Sequence, residues 1–137
     1  MLLKNLIRNL KPEVAALKIK GISFDSRSVK KGDLFVSIKG EKFDGNDYVN
    51  QATSKGAKVI VHSKKVKQNK KATFIKFKDT RNILARLSTN YYKNKPNNIV
   101  AVTGTNGKTS VSDFFYQIFM LQKKKSGFIG TLGFRKN

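Results

Sequence analysis

Residues 103–110, TGTNGKTS, have the types and spacing of a loop that binds phosphate. An apolar segment predicted to be a strand, residues 99–102, precedes them, and an amphipathic segment predicted to be a helix follows. The glycines let backbone N–H groups turn toward an anion, and the helix N-terminus adds partial positive charge. Lys108 can reach the terminal phosphates, and the Thr109 hydroxyl can bind Mg²⁺. The segment therefore predicts a nucleotide ligand, ATP or GTP.

The loop departs from the general G-x-x-x-x-G-K-[ST] pattern, because Val102 stands where the first glycine is expected. A surface turn with incidental glycines is the alternative, and the flanking strand and helix patterns favour the phosphate loop. The predicted ATP-binding residues are Gly104, Thr105, Asn106, Gly107, Lys108, Thr109 and Ser110.

Composition narrows the chemistry that the chain can perform. Its 137 residues allow one domain, or one small domain and the start of another. The chain has no cysteine and a single histidine, which excludes a disulfide scaffold, a thiolate metal site and a multi-histidine zinc centre. Any metal must therefore be bound by oxygen ligands.

The chain carries 29 Lys and Arg against 8 Asp and Glu, a net charge of +21. A nucleic-acid-binding protein is one alternative, and it would lose affinity steeply with salt. The lysines are scattered through almost every segment and form no single stripe, so we predict no specific nucleic-acid partner. No apolar run approaches the roughly 18 residues of a membrane span, and we expect a cytoplasmic protein without membrane insertion.

Apolar periodicity predicts strands alternating with helices, which indicates an α/β fold. A core-facing first helix is predicted from Leu2, Leu3, Leu6, Ile7 and Leu10. Strands are predicted near residues 22–25, 33–38, 57–61 and 72–77. A short helix over Tyr48, Val49 and Ala52 should end at Gly56, and a longer one, with Ile83, Leu84, Leu87 and Tyr91 on one face, should begin at Asp79 or Thr80.

A polar segment with a proline, residues 93–98, predicts a domain boundary near residue 95. Beyond it we predict one βαβ unit, made of strand 99–102, a helix and strand 127–130. Periodicity places Phe114, Phe115, Phe119 and Phe128 in its core. Such a unit exposes helix faces and strand edges that a complete α/β domain covers, so the second domain is expected to be unfinished at Asn137.

Several polar residues have two interpretations or a purely structural one. Asp25 and Arg27 lie two apart, so a structural ion pair and substrate contact are equally supported. Asp44, before a glycine, is most simply a turn residue. His62 ends a predicted strand before two lysines, which favours the surface.

The string TGTNGKTS resembles the ATP loop of the Mur ligase family, the cytoplasmic amino-acid-adding ligases of peptidoglycan synthesis. Upstream, FDSR at 24–27, KGDLFV at 31–36 and GEKFDG at 40–45 look like the signatures of that family's N-terminal domain. Downstream, IGTLG at 129–133 is similar to the segment that follows the ATP loop in the UDP-N-acetylmuramoyl-tripeptide synthetases of the family. The motifs occur in the family's order over nearly the whole chain.

The resemblance implies a small N-terminal Mur-ligase-type domain that binds UDP-MurNAc, residues 1–95, followed by the first βαβ of an ATP-binding central domain, residues 96–137. It implies a ligase in which ATP phosphorylates the D-glutamate side chain of UDP-MurNAc-L-Ala-D-Glu. The amine of a diamino acid then displaces the phosphate from this acyl-phosphate. Lys108, as catalytic residue, and Mg²⁺, bound by Thr109, would stabilise the transferring phosphoryl group.

By the same resemblance, Phe24, Ser26, Glu41, Lys42 and Phe43 would bind the uridine diphosphate part of the substrate. Family members often carry histidine at the position of Glu41, whose carboxylate would bond the sugar or base edge. The diamino acid is meso-diaminopimelate or L-lysine, with diaminopimelate preferred, and the deciding residues are expected beyond Asn137. The chain is expected to be an N-terminal fragment, inactive alone, and its oligomeric state is left open. The alternatives are the D-Ala-D-Ala-adding ligase of the family and a non-catalytic nucleotide-binding module.

Overall fold

The chain divides into two units, Met1–Lys95 and Pro96–Asn137. Four parallel β-strands form the centre of the first unit. The computed structural model describes residues 1–131 and 133–137. The strands are β1 (Ile22–Ser23), β2 (Leu34–Val36), β3 (Val59–His62) and β4 (Thr73–Lys76), and they lie in the order β1-β2-β3-β4. The helices of this unit are α1 (Pro12–Ala15), α2 (Val49–Ser54) and α3 (Thr80–Tyr91), with 3-10 turns at Leu3–Asn5 and Gly45–Tyr48. The predicted α/β fold is confirmed.

Alternation along the central strands sorts the core into two layers. In β2 and β3, Leu34 pairs with Val59 and Phe35 pairs with Ile60. The first pair faces the layer of α3 and the N-terminal segment, and the second faces α2. The first layer buries Leu3, Leu6, Ile7, Ile19, Leu34, Val36, Val59, Val61, Ile83 and Leu87. The second layer buries Val29, Phe35, Val49, Ala52, Ala57 and Ile60.

Local signals of the sequence set the ends of the helices. The Asp79 side chain accepts a hydrogen bond from the Asn82 N–H and caps α3. Gly56 is the second residue after the end of α2 and has φ of +92°, a conformation that favours glycine.

The predicted first helix is present only as the 3-10 turn Leu3–Asn5, although Leu3, Leu6 and Ile7 are buried as expected. Leu2 forms a β-bridge with Lys18, and Asn9 adopts a left-handed φ of 58°. Neither conformation fits a continuous right-handed helix.

The second unit contains α4 (Lys108–Leu121) and an antiparallel pair, β5 (Gly127–Gly130) and β6 (Gly133–Lys136). The predicted strand over residues 99–102 is wrong, and with it the parallel strand pairing of the predicted βαβ unit. A strand needs a paired neighbour, and among the described residues β5 is paired with β6 alone. Ile99 is therefore left 80% exposed.

The aromatic side chains of α4 are only partly placed as predicted. Phe128 is 5% exposed and belongs to the core of this unit, whereas Phe114 and Phe115 are 62% and 42% exposed, so the core prediction is wrong for them. Phe119 is partly buried and its ring centre lies 4.9 Å from that of Phe115. The described two-stranded sheet offers too little surface to cover the wide apolar face of α4. No helix of the described residues is both long and apolar enough to cross a membrane.

Candidate functional site

Polar loops follow β1, β2 and β3 at one edge of the sheet, because parallel strands all end on the same side. The turn at 24–28 follows β1, the loop at 39–44 follows β2, and Ser63 and Lys64 follow β3. The five predicted substrate-binding residues belong to the first two of these segments. The tertiary structure therefore brings the FDSR motif and the GEKFDG motif to the edge of the sheet where the strands have their carboxyl ends.

Aromatic side chains project into solvent from this edge. Phe24 is 65% exposed and Phe43 is 69% exposed, and they lie on loops of adjacent strands. Glu41 and Lys42, beside Phe43, are exposed as well. An uncovered aromatic ring can stack on a nucleobase, and a nearby lysine can neutralise phosphate.

Ser26 is the exception among the five residues. It is 6% exposed, and its hydroxyl donates a hydrogen bond to the Gln51 side-chain oxygen on α2. The hydroxyl thus connects the turn after β1 to α2. Ser26 is therefore buried at this edge of the sheet, whereas the other four residues are exposed.

Asp25 and Arg27 form an ion pair within the turn after β1. The Asp25 carboxylate accepts from the Arg27 backbone N–H at 2.9 Å and from its guanidinium Nη2 at 2.8 Å. The side-chain hydrogen bond from Arg27 is the main reason that the pKa of Asp25 lies below its usual value. Of the two interpretations of this pair, the geometry favours the structural one.

The loop at residues 39–44, which we call the β2 loop, is closed at its base. Lys39 and Asp44 form an antiparallel bridge, and the Gly40 N–H donates to the Phe43 carbonyl at 2.8 Å. The Gly45 N–H donates to the Ile38 carbonyl at 2.9 Å. Glu41, Lys42 and Phe43 are therefore presented by a tight chain reversal.

Asp44 is a turn residue, as predicted, and it also carries an ion pair. Its carboxylate accepts from the Asn46 N–H at 3.0 Å, which caps the 3-10 turn Gly45–Tyr48. The Lys64 ammonium lies 2.6 Å from its other oxygen. The hydrogen bond from Lys64, followed by those from Asn46, lowers the pKa of Asp44 to about 2.

Replacing Gly45 by alanine is expected to destabilise the first unit. A Cβ at this position would lie 2.5 Å from the Ile38 nitrogen and 2.8 Å from its oxygen, so the backbone would have to separate. Overpacking of this kind typically costs about 1–3 kcal/mol. The midpoint of urea unfolding of Gly45→Ala measures this loss of stability. Lys42→Ala, a substitution at an exposed position of the β2 loop, is the control. Equal midpoints for the two variants would contradict the close approach of these segments.

His62 is buried, so its predicted surface position is wrong. It is 3% exposed, its Nδ1 donates to the Lys64 carbonyl at 2.7 Å, and its ring meets that of Phe74 edge-on. The reason is that β3 lies between β2 and β4, and its last residue is still covered by neighbouring segments. Only the sheet order, which the sequence does not display, reveals this.

The predicted phosphate loop has the backbone that its glycines allow. Gly104 and Gly107 have φ of +148° and +75°, and Gly107 is the N-cap of α4. A Cβ at Gly107 would meet no atom within 4 Å, so the space beside it is open. The N-terminus of a helix of 14 residues therefore adjoins an exposed loop, an arrangement suited to an anion.

The Lys108 and Thr109 side chains have separate hydrogen-bond partners. The Lys108 ammonium turns back over the loop and donates to the carbonyls of Gly104 and Thr105. The Thr109 hydroxyl lies 3.0 Å from that of Thr131, on the turn between β5 and β6. Thr131 belongs to the IGTLG motif, whose Leu132 lies outside the described residues. Sequence reasoning did not assign Thr131 to the site, although its motif was visible.

Both predicted ligands of the loop are compatible with these residues. The open glycine backbone and Lys108 fit the phosphates of a nucleotide. The described residues contain no group of three or more His, Cys, Asp or Glu that could hold a metal ion. With Mg²⁺, the Thr109 hydroxyl would supply one oxygen ligand, and phosphate and water oxygens would supply others.

Comparison with known proteins gives the same family for both units. A model described as Mur ligase family, catalytic domain, matches residues 18–92, and one described as Mur ligase middle domain matches residues 102–137. Curated relatives named UDP-N-acetylmuramoyl-L-alanyl-D-glutamate--2,6-diaminopimelate ligase include that of Clostridioides difficile, 43% identical over 92% of this chain and 26% of the relative. That of Syntrophomonas wolfei is 42% identical over 96% of this chain and 27% of the relative. This chain thus spans about a quarter of the length of the curated relatives it matches.

Solved structures of Mur ligases are similar to this chain. The MurF ligase of Thermotoga maritima in complex with ADP superimposes with a TM-score of 0.61 and 29% identity, over 78% of this chain and 24% of that one. A UDP-N-acetylmuramoyl-L-alanyl-D-glutamate--2,6-diaminopimelate ligase gives a TM-score of 0.77 over 99% of this chain and 28% of that one. At 23% identity, this second likeness shows a shared fold.

Proposed function

The chain belongs to the Mur ligase family, and we propose that it supplies the uridine-nucleotide-binding domain and the ATP loop of a ligase of peptidoglycan synthesis. This ligase adds a diamino acid to UDP-MurNAc-L-Ala-D-Glu. The observation that carries the proposal is the match of both family models, in order, over residues 18–92 and 102–137. The names of the relatives at about 40% identity favour 2,6-diaminopimelate over L-lysine and over D-Ala-D-Ala addition.

In the proposed reaction, a D-glutamate carboxylate oxygen of the substrate attacks the γ-phosphorus of ATP, and ADP leaves. The amine of the diamino acid then attacks the acyl carbon, an amide forms, phosphate leaves and the amine loses a proton. Backbone N–H groups at Gly107 and the start of α4 would hold the phosphates, and the Lys108 ammonium would offset the charge on the transferring group. Mg²⁺, when bound, would neutralise further phosphate charge. No nucleophile from this chain is needed.

At the other end of the substrate, the carboxyl edge of the sheet would bind the uridine diphosphate. Phe24 and Phe43 offer exposed rings for the uracil or ribose, and Lys42 offers a cation for the diphosphate. Glu41 would accept from the sugar or base edge, because beside the diphosphate it would be repelled. Ser26 would act by holding the turn after β1 through its bond to Gln51.

Replacing Phe43 by alanine tests the uridine site. Removal of an aromatic stacking partner typically costs about 1–3 kcal/mol per base, so the affinity for UDP-MurNAc-L-Ala-D-Glu should fall roughly 5- to 150-fold. NMR titration of the 137-residue chain measures it. Binding is measured instead of turnover because the chain spans about a quarter of its relatives' length.

Phe134→Ala is the matched control for this experiment. Phe134 is 63% exposed, close to the 69% of Phe43, but it lies on β6 in the other unit. Its replacement should leave the affinity within about twofold, as expected of a substitution at an exposed position outside the predicted uridine site. Equal losses in both variants, or no binding by the unaltered chain, would contradict the proposed site.

A further inference from the structure

The turn after β3 is anchored by a buried histidine that the proposed reaction does not use. The Lys64 carbonyl can only accept, so His62 Nδ1 carries the proton in their 2.7 Å hydrogen bond. The imidazole is 3% exposed, and the Phe74 ring lies edge-on against it. The hydrogen bond from this buried side chain thus restrains the backbone of Lys64.

The Lys64 side chain connects this turn to the base of the β2 loop. Its ammonium lies 2.6 Å from Asp44; the Asp44 side chain is 16% exposed and that of Lys64 is 56% exposed. Asp44 also forms the bridge with Lys39 that closes the loop carrying Glu41, Lys42 and Phe43. An ion pair that is partly withdrawn from solvent is screened less by salt than an exposed one.

A second set of bonds joins the same segments without Lys64. Asn46, 9% exposed, accepts from the Ser37 hydroxyl at 2.8 Å and donates to Asp44 at 2.6 Å. It lies 3.4 Å from the Ser63 hydroxyl. Because Asn46 keeps Asp44 hydrogen-bonded, loss of the Lys64 ammonium should loosen the loop without unfolding the sheet.

We infer that Lys64 is a positioning residue for uridine-nucleotide binding: anchored by His62, it holds Asp44 and thereby the β2 loop in its binding conformation. The inference rests on the proposed function of that loop. Among the hydrogen bonds and ion pairs of the described residues, the Lys64 side chain is paired with Asp44 and with none of the five residues assigned to the substrate by resemblance. Its effect on affinity is therefore indirect, and it is set by how well the loop is ordered before the ligand arrives.

Replacing Lys64 by methionine tests the inference in the 137-residue chain. We expect the affinity for UDP-MurNAc-L-Ala-D-Glu, measured by NMR titration, to fall about three- to tenfold, because a charged hydrogen bond that orders the loop is lost. Amide hydrogen exchange should become faster at Gly40 and Gly45, whose N–H groups close the loop. Exchange in β2 and β3 should stay as in the unaltered chain, which separates loosening of the loop from general destabilisation.

Two variants separate positioning from simple charge attraction. Lys65→Met removes the same charge from the neighbouring position, which lines the same cavity of about 280 Å³ and forms no ion pair among the described residues. It should change affinity by less than about twofold. Lys64→Arg keeps a cation for Asp44 and should restore both affinity and exchange protection.

The outcomes distinguish this inference from the proposed function. If the unaltered chain binds the ligand and Lys64→Met behaves like Lys65→Met, Lys64 has no positioning role and the proposed site stands. If both variants weaken binding equally, the lysines act only by charge and the inference is again overturned. If the unaltered chain does not bind the ligand, the proposed function itself fails and this inference fails with it.

Discussion

Replacing Lys108 by alanine is expected to lower the affinity of the chain for ATP, measured in the presence of Mg²⁺, at least tenfold. The Lys108 ammonium already lies over the loop, where it donates to the carbonyls of Gly104 and Thr105. In the nucleotide complex the same ammonium would bond phosphate oxygens, and hydrogen bonds to charged groups contribute about 1.5–3 kcal/mol each, or roughly 10- to 150-fold. NMR titration with ATP measures this even where dissociation constants are millimolar.

Lys125→Ala is the matched control for position 108. Lys125 is an exposed lysine of the same unit and lies beyond the end of α4, so its loss removes equal charge away from the loop. ATP affinity should change by less than about twofold. Equal effects at the two positions would show attraction by net charge alone, as a protein that binds polyanions without a specific loop would show.

Phe35→Ala is expected to cause the largest loss of stability among these variants, about 3–5 kcal/mol. Phe35 is 1% exposed and packs with Val49, Ala52 and Ile60 between the sheet and α2. Truncation leaves a cavity that the flanking strands, paired on both sides of β2, cannot close. The free energy of unfolding, from urea titration of the first unit, measures the loss.

Phe24→Ala is the control for that measurement. It removes the same ring from a position 65% exposed at the end of β1, so stability should change by no more than about 0.5 kcal/mol. A comparable loss at both positions would contradict the burial of Phe35 between the sheet and α2 and the exposure of Phe24. The same variant also helps to test the uridine site, because it should weaken ligand binding while stability is preserved.

The first unit was readable from sequence where a single segment carries the signal. Residues 34–36 and 59–61 have the apolar runs of buried strands, and Asp79 has the type and place of a helix cap. In the second unit, the glycines at 104 and 107 likewise predicted a phosphate loop, and both adopt positive φ. In each case the determining interaction lies within a few residues, so the local pattern is sufficient.

The errors fall where a segment's environment comes from distant parts of the chain. Residues 99–102 have the composition of a strand but no paired neighbour among the described residues, and composition cannot supply one. Phe114 has helical core periodicity, yet it is 62% exposed because the described sheet of its unit has only two strands. His62 is the opposite case: the sequence favoured a surface position, but the residue is buried because β3 has a paired strand on each side.

The sequence by itself indicated the family, the position of the candidate phosphate loop, and the four strands and the helices α2 and α3 of the first unit, because these depend on ordered motifs and local periodicity. Only the tertiary structure decided that the loops after β1, β2 and β3 meet at one edge, that Ser26 bonds to Gln51, and that Lys64 pairs with Asp44. The physical reason is that these features join separate segments of the chain: Ser26 and Gln51 are 25 positions apart, and Lys64 and Asp44 are 20 positions apart. Strand order and register bring such residues together, and no local pattern records them.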